Sequence, residues 1–309
     1  MRVQESIDAV TSIDITQKFR YPAVKRMTRG IMPKLFWGTV VIVLTILVFI
    51  PLIEMIVISL SPMSSIESTN LPPAKLEWVN YVEAWQTVHL LSYVTHSVII
   101  ALSATVIGVA IATGLAFVLD RFHFRFRSIL SKVILVSQII PSITLLLPIY
   151  VLYAWVGSLL RIPIIGTYQG IISVYVGVSI PLATWLLIGG MNGIPRELDE
   201  AAAIDGATHF SVLMRVIVPI LLPSIAVSAI FTFLSAWNDL LFSSVMTNDA
   251  TRTLAIGLQE YAGQPGGGGA VLWNQLMAGA IVGSLPAVFF FLLAQRFIVN
   301  GLSAGAVRQ

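Results

Sequence analysis

Six long apolar blocks, separated by polar stretches, set the pattern of the chain, at about residues 35–60, 94–119, 129–155, 168–190, 219–246 and 274–299. As helices, all six are long enough to cross a hydrocarbon layer of about 30 Å. The pattern predicts an all-α, polytopic membrane protein with six transmembrane helices. The first block makes about 39 Å of helix, and no small-residue cleavage site follows it, so a retained span is expected rather than a signal peptide. Glu54 falls near its far end, where an acid reaches the interface and is solvated. The third block holds Gln138, Pro141 and Pro148, so its helix is expected to be bent or locally opened. Two readings fit that irregularity: a break that lines a pathway, or a kink that improves packing.

The polar stretches divide the chain further. Residues 1–34 gather Lys18, Arg20, Lys25, Arg26, Arg29 and Lys34 and are expected to form a cytoplasmic arm. Residues 35–93 are read as the first transmembrane helix and an extracytoplasmic loop, the latter marked by Pro62, Pro72, Pro73, Trp78, Tyr81 and Trp85. Residues 94–299 form the core, with a polar loop at 191–218, and residues 300–309 a cytoplasmic tail. Trp185 reads as an interfacial anchor.

The loop at 191–218 is the densest acidic cluster in the chain. Pro195 can take a first helical position, Glu197, Asp199 and Glu200 favour the positive end of the same helix, and Gly206 can adopt the left-handed geometry that stops it. A second short helix is expected from near Thr208. Ala201, Ala202 and Ala203 present small side chains, which let another surface come close. Packing of both short helices against their own bundle is the alternative.

Composition supports the membrane class. With 57% hydrophobic and 11% charged residues, a soluble fold of 309 residues could not hide its apolar surface. All but three of the 18 Lys and Arg fall on the amino-terminal side of the six-span layout, the exceptions being Lys75, Arg161 and Arg252. By the positive-inside rule, both termini and the 191–218 loop are then cytoplasmic. The modest net charge of +3 does not suggest nucleic-acid binding, and the alternating arginines and aromatics of 120–127 read as a basic interfacial turn. Zero cysteines exclude disulfides, zinc thiolates and a cysteine nucleophile.

Candidate chemistry is sparse. No Gly-x-x-x-x-Gly-Lys-Ser/Thr sequence occurs, and Gly266–Gly269 lacks the lysine and hydroxyl residue of a phosphate loop, so it reads as a flexible turn. His89, His96, His123 and His209 include no pair at i, i+4 and no neighbouring nucleophile. Asp205 precedes His209 by four, but Gly206 is expected to break the helix between them. No metal site and no enzyme are expected. Glu54 and Asp239 fall near outer ends of spans rather than mid-membrane, which disfavours a proton-coupled carrier.

Glu200-Ala201-Ala202, Asp205-Gly206-Ala207 and Val216-Ile217-Val218-Pro219 resemble the EAA loop of permease subunits from ATP-binding-cassette importers, with valines at Val216 and Val218 where the family usually has isoleucine and leucine. Ala236-Trp237-Asn238-Asp239-Leu240, Leu276-Met277-Ala278-Gly279-Ala280 and the tail from Gln295-Arg296-Phe297 through Gly301 to Val307 resemble the carbohydrate-type, maltose-permease-like branch. The resemblance spans roughly residues 35 to 309. It implies an importer in the bacterial cytoplasmic membrane for a carbohydrate or related polyol. It also implies two ATP-hydrolysing subunits, a second homologous permease and an extracytoplasmic solute-binding protein as partners. No cofactor is expected on this chain, since ATP is used by the partner subunits. Glu200, Ala201, Ala202, Asp205 and Gly206 are implied to dock the ATPase. For Trp237, Asn238 and Asp239 two readings stay open: a substrate-side polar constellation, and an interfacial Trp with polar residues that cap or pack between helices. The rival functions are an ion-driven carrier, a structural subunit without a pathway, and an importer of a non-sugar solute.

Overall fold

The computed structural model describes residues 31–69, 72–87, 89–263 and 271–306. Most of the arm expected at 1–34 lies outside them, as do Gly266–Gly269. The described residues form helices without a strand: α1 (Ile31–Ser59), α2 (Met63–Glu67), α3 (Val79–Thr87), α4 (Leu90–Arg121), α5 (Arg127–Ser137), α6 (Ser142–Leu160), α7 (Tyr168–Met191), α8 (Glu197–Ile204), α9 (His209–Val212), α10 (Val218–Trp237), α11 (Leu241–Met246), α12 (Leu254–Gly263) and α13 (Trp273–Ala306). Six stretches are long and apolar enough to cross a membrane: Phe36–Ser59, Leu90–Arg121, Ser142–Leu160, Tyr168–Met191, His209–Trp237 and Trp273–Gln295.

Two blocks are not simple uninterrupted α-helices. The third, expected to be bent or locally opened, is opened into two helices. Pro141 is extended, with φ −60° and ψ 131° at the cap of α6, so α5 stops at Ser137 and a new helix begins at Ser142. The fifth span begins ten residues before Pro219 and ends at Trp237, short of the expected 246. Its early start is made by a π-helical turn over Leu213–Ile217 that carries α9 into α10. The Val218 amide there bonds to the Leu213 carbonyl, five residues back, just ahead of Pro219, which has no amide hydrogen to donate.

The chain divides at Ile53/Glu54 into two units. In the first, the α1 residues from Phe36 to Ile53 expose their large apolar side chains, as a helix bathed in lipid does. In the second, α4 packs most extensively on α7, and α10 packs on both and on α13. Small residues at three- and four-residue spacing on α4 (Ala101, Ala104, Gly108, Ala112, Ala116) are buried and let the helices approach closely. A Cβ at Gly108 would meet Ser179 of α7, and one at Gly190 would overlap Ser224 of α10.

Polar side chains tie the segments between α1 and α4 to α13. Asn80 of α3 donates to the carbonyls of Ser59 and Ser61 at 3.0 and 3.1 Å and accepts from Asn274 at 2.9 Å. Gln275 donates to Glu83 at 2.7 Å and accepts from the Tyr261 hydroxyl. Burial, and then the nearby Glu83 carboxylate, push the Tyr261 phenol up, which keeps it protonated as the donor.

Candidate functional site

The first candidate is the loop around α8. Asp205 caps the helix and Gly206 follows with φ +81°. The Ala207 amide reaches the Ala202 carbonyl at 2.9 Å, and the Gly206 amide the Ala203 carbonyl at 3.0 Å. This pair of bonds closes the helix through a left-handed residue, a position that suits glycine. Thr208 then starts α9 by accepting from the Ser211 amide at 3.3 Å. The first helical residue is Glu197, so Pro195 stands just before the helix rather than in its first turn.

The side chains of α8 split by face. Ala202 and Ala207 pack on a cluster that includes Ala112, Ala116, Leu187, Met191 and Leu221. Glu200, Ala201, Ala203 and Asp205 are exposed, and Ile204 is 87% exposed. Ala202 is thus half-buried against the chain's own bundle, while Ala201 and Ala203 are exposed. Among the described residues, Ile204 joins neither apolar cluster of the bundle.

What holds the loop was missed in the sequence. Arg121, at the end of α4, pairs with Asp199 of α8 at 2.6 Å and with Asp120 at 2.9 Å, and it donates to the Ile194 carbonyl at 3.1 Å. Arg196 in turn donates to the Asp120 carbonyl at 2.9 Å. Arg121 is only 8% exposed, so these bonds act with little solvent screening. A cavity of about 260 Å³ lies beside this clamp, lined by Arg121, Arg196, Asp199, Glu200 and His209 among others. His209 meets Phe122 edge to face at 5.1 Å.

The second candidate lies where α10 ends. Trp237 is 5% exposed and stacks on Phe233, which stacks on Phe290 of α13. Its indole therefore offers almost no free face. Asn238 is exposed and its amide donates to the Leu234 carbonyl at 3.0 Å. Asp239 sits in the break before α11. Its Oδ2 accepts from the Tyr175 hydroxyl at 2.8 Å and from the amides of Phe242 and Ser243, both at 3.0 Å. The Ser243 and Tyr175 hydroxyls are 2.6 Å apart. Because Tyr175 donates to Asp239, Ser243 donates to Tyr175.

Asp239 also lines a cavity of about 340 Å³, with Gln138, Ser142, Tyr175, Ser179, Thr232 and Ser235 supplying polar atoms. A neighbouring cavity of about 320 Å³ shares Gln138, Ser142 and Val178 and adds Ser137, Tyr153 and Ser173. The α5–α6 break thus lines both spaces. Among the described residues, no cluster of three or more His, Cys, Asp or Glu could hold a metal.

Helical spans, an outlying acidic loop and polar cavities between helices define a membrane-embedded transport component. The chain belongs to the family of binding-protein-dependent transport system inner membrane components, whose model matches residues 104–303. It is 30% identical over 270 residues to the trehalose/maltose transport system permease protein MalG of Thermococcus litoralis, covering 86% of this chain and 94% of that one. It is 32% identical over 219 residues to the maltodextrin transport system permease protein MdxG of Bacillus subtilis, covering 71% and 76%. In fold it matches a chain from a bacterial ABC transporter involved in the import of the acidic polysaccharide alginate. The TM-score is 0.74 at 14% identity, over 86% of this chain and 96% of that one. The chain is a permease subunit of this transport class.

Proposed function

We propose that the chain forms half of the translocation pathway of an ATP-driven importer for a carbohydrate or related polyol. A second, homologous permease supplies the other half, two ATP-hydrolysing subunits supply the energy, and an extracytoplasmic binding protein delivers the solute. Both termini and the α8 loop face the cytoplasm of a cell whose cytoplasmic membrane the chain spans. Glu200, Ala201, Asp205 and Gly206 meet the ATPase, while Ala202 sets the loop against the bundle. Asn238 and Asp239 stand beside the pathway, with Trp237 packed behind them. ATP binding closes the partner subunits, the loops move, and the cavity between permeases turns outward.

The observation that carries this reading is Ile204, almost fully exposed on an acidic helix whose other face is clamped to α4. Such a residue is suited to a cleft on another protein, and two relatives of the chain are sugar permeases by name. The test is uptake of labelled neutral oligosaccharides by the assembled transporter in vesicles, with and without ATP and binding protein. ATP-dependent uptake is expected. Glu200→Ala combined with Gly206→Val is expected to leave insertion and binding-protein contact intact while uptake and substrate-stimulated ATP hydrolysis fall together. Stimulation and uptake at normal levels in that variant would refute the coupling role.

A further inference from the structure

The cavity at the end of α10 holds one carboxylate and no cation. Its polar wall consists of Gln138, Ser142, Tyr175, Ser179, Ser235 and Asp239 with Thr232, and none of the described residues lining it or its neighbour is Lys, Arg or His. The three hydrogen bonds to Asp239 all fall on Oδ2, and all come from neutral donors: one phenol and two amides. Asp239 makes no ion pair among the described residues. Dipoles hold its charge in place without cancelling it, and Oδ1 keeps its full capacity to accept.

We infer that Asp239 makes this half of the pathway select against anionic sugars, so that the solute is a neutral glycan or polyol. This rests on the carbohydrate reading above. A sugar hydroxyl donates to Oδ1 and accepts from the serines and the Gln138 amide, so a neutral glycan satisfies both sides. A carboxylate, sulfonate or phosphate on the sugar can only accept, and it meets a fixed like charge. At about 6 Å and an effective dielectric of about 20, that repulsion is a discrimination on the order of a hundredfold. The fold it shares with a transporter for an acidic polysaccharide therefore does not carry over that substrate's charge.

The chain has no cysteine, so a single thiol can report the charge of the cavity. Ser235→Cys is placed in the full chain, assembled with its transporter partners in vesicles. Its modification is followed by mass with cationic and anionic methanethiosulfonates of similar size, each rate normalised to a free thiol. The cationic reagent is expected to react at least tenfold faster, and Asp239→Asn, which keeps an oxygen for the two amides, is expected to bring the ratio near one. Parity with Asp239 in place, or a ratio unchanged in Asp239→Asn, would overturn the inference. If Asp239→Asn does not assemble, the ratio in Ser235→Cys alone decides in the same way. A second arm compares uptake of maltotriose with that of its analogue oxidised to a terminal glucuronate. Uptake of neither sugar rules out maltotriose as the cargo and leaves the thiol result to decide, whereas equal uptake of both refutes charge selection.

Discussion

Arg121 fixes where the α8 loop sits. Its guanidinium makes an ion pair with Asp199 and donates to Asp120 and the Ile194 carbonyl, three partners that a lysine ammonium could not hold in the same way. Asp199 is 21% exposed at the side chain, and its Oδ1 is buried without a hydrogen-bond partner, so it depends on this one cation. We predict that Arg121→Gln lowers stability by about 3 kcal/mol, the low end for breaking a buried pair because Asp199 keeps some water. Arg121→Lys should retain the charge but lose the carbonyl bond, giving a smaller drop. Thermal unfolding of the purified assembly measures both, and equal midpoints for wild type and Arg121→Gln would show that the loop needs no clamp. Gly206 was legible in the sequence and Arg121 was not, for a physical reason. A helix stop is written in adjacent residues, whereas Arg121 and Asp199 meet only through the fold. The arginines and aromatics of 120–127 looked like an interfacial turn, and nothing in their spacing points to a partner in another loop.

Close approach of helices decides the next scale. On α7, two successive glycines have opposite surroundings: a Cβ at Gly189 meets nothing within 4 Å, while one at Gly190 would overlap Ser224 of α10. We predict that Gly190→Ala costs about 1–3 kcal/mol through overpacking. Gly189→Ala should be neutral or stabilising by up to about 1 kcal/mol, as expected for a helical glycine replaced by alanine. Ser224→Gly should recover much of the loss at Gly190. Midpoints of thermal unfolding across the four variants test this, and a drop at Gly189 equal to that at Gly190 would remove the close approach as its cause. The apolar blocks themselves were readable because length and hydropathy are local sums. Their interruptions were harder. Pro141 signalled a bend or local opening and separates two helices, while Pro219 looked like the start of a span that a π-helical turn in fact carries back to His209. Asp239 ends the readable part of the fifth block early, because its carboxylate caps α11 and turns the chain where hydropathy alone continues.

For the whole molecule, charge predicts the direction in which it sits. All but three of the 18 Lys and Arg lie on one side of the six-span layout, and Arg252 on the other side is neutralised by Asp249 and Glu260, each at 2.7 Å. The clamp at Arg121 and the acidic helix α8 then share one membrane face, and the buried bonds of Asn80 with Asn274 hold the opposite face. A chain inserted the other way would place its cationic side outside, against the positive-inside bias. It would also put Ile204 and the acids proposed to meet the ATPase where no ATP is available. We predict that single cysteines, otherwise absent, report this directly. Lys75→Cys should react with a membrane-impermeant thiol reagent in intact cells. Glu200→Cys should react with it only in inside-out vesicles. Labelling of Glu200→Cys from outside intact cells would reverse the orientation and, with it, remove the α8 loop as the joint to an ATPase.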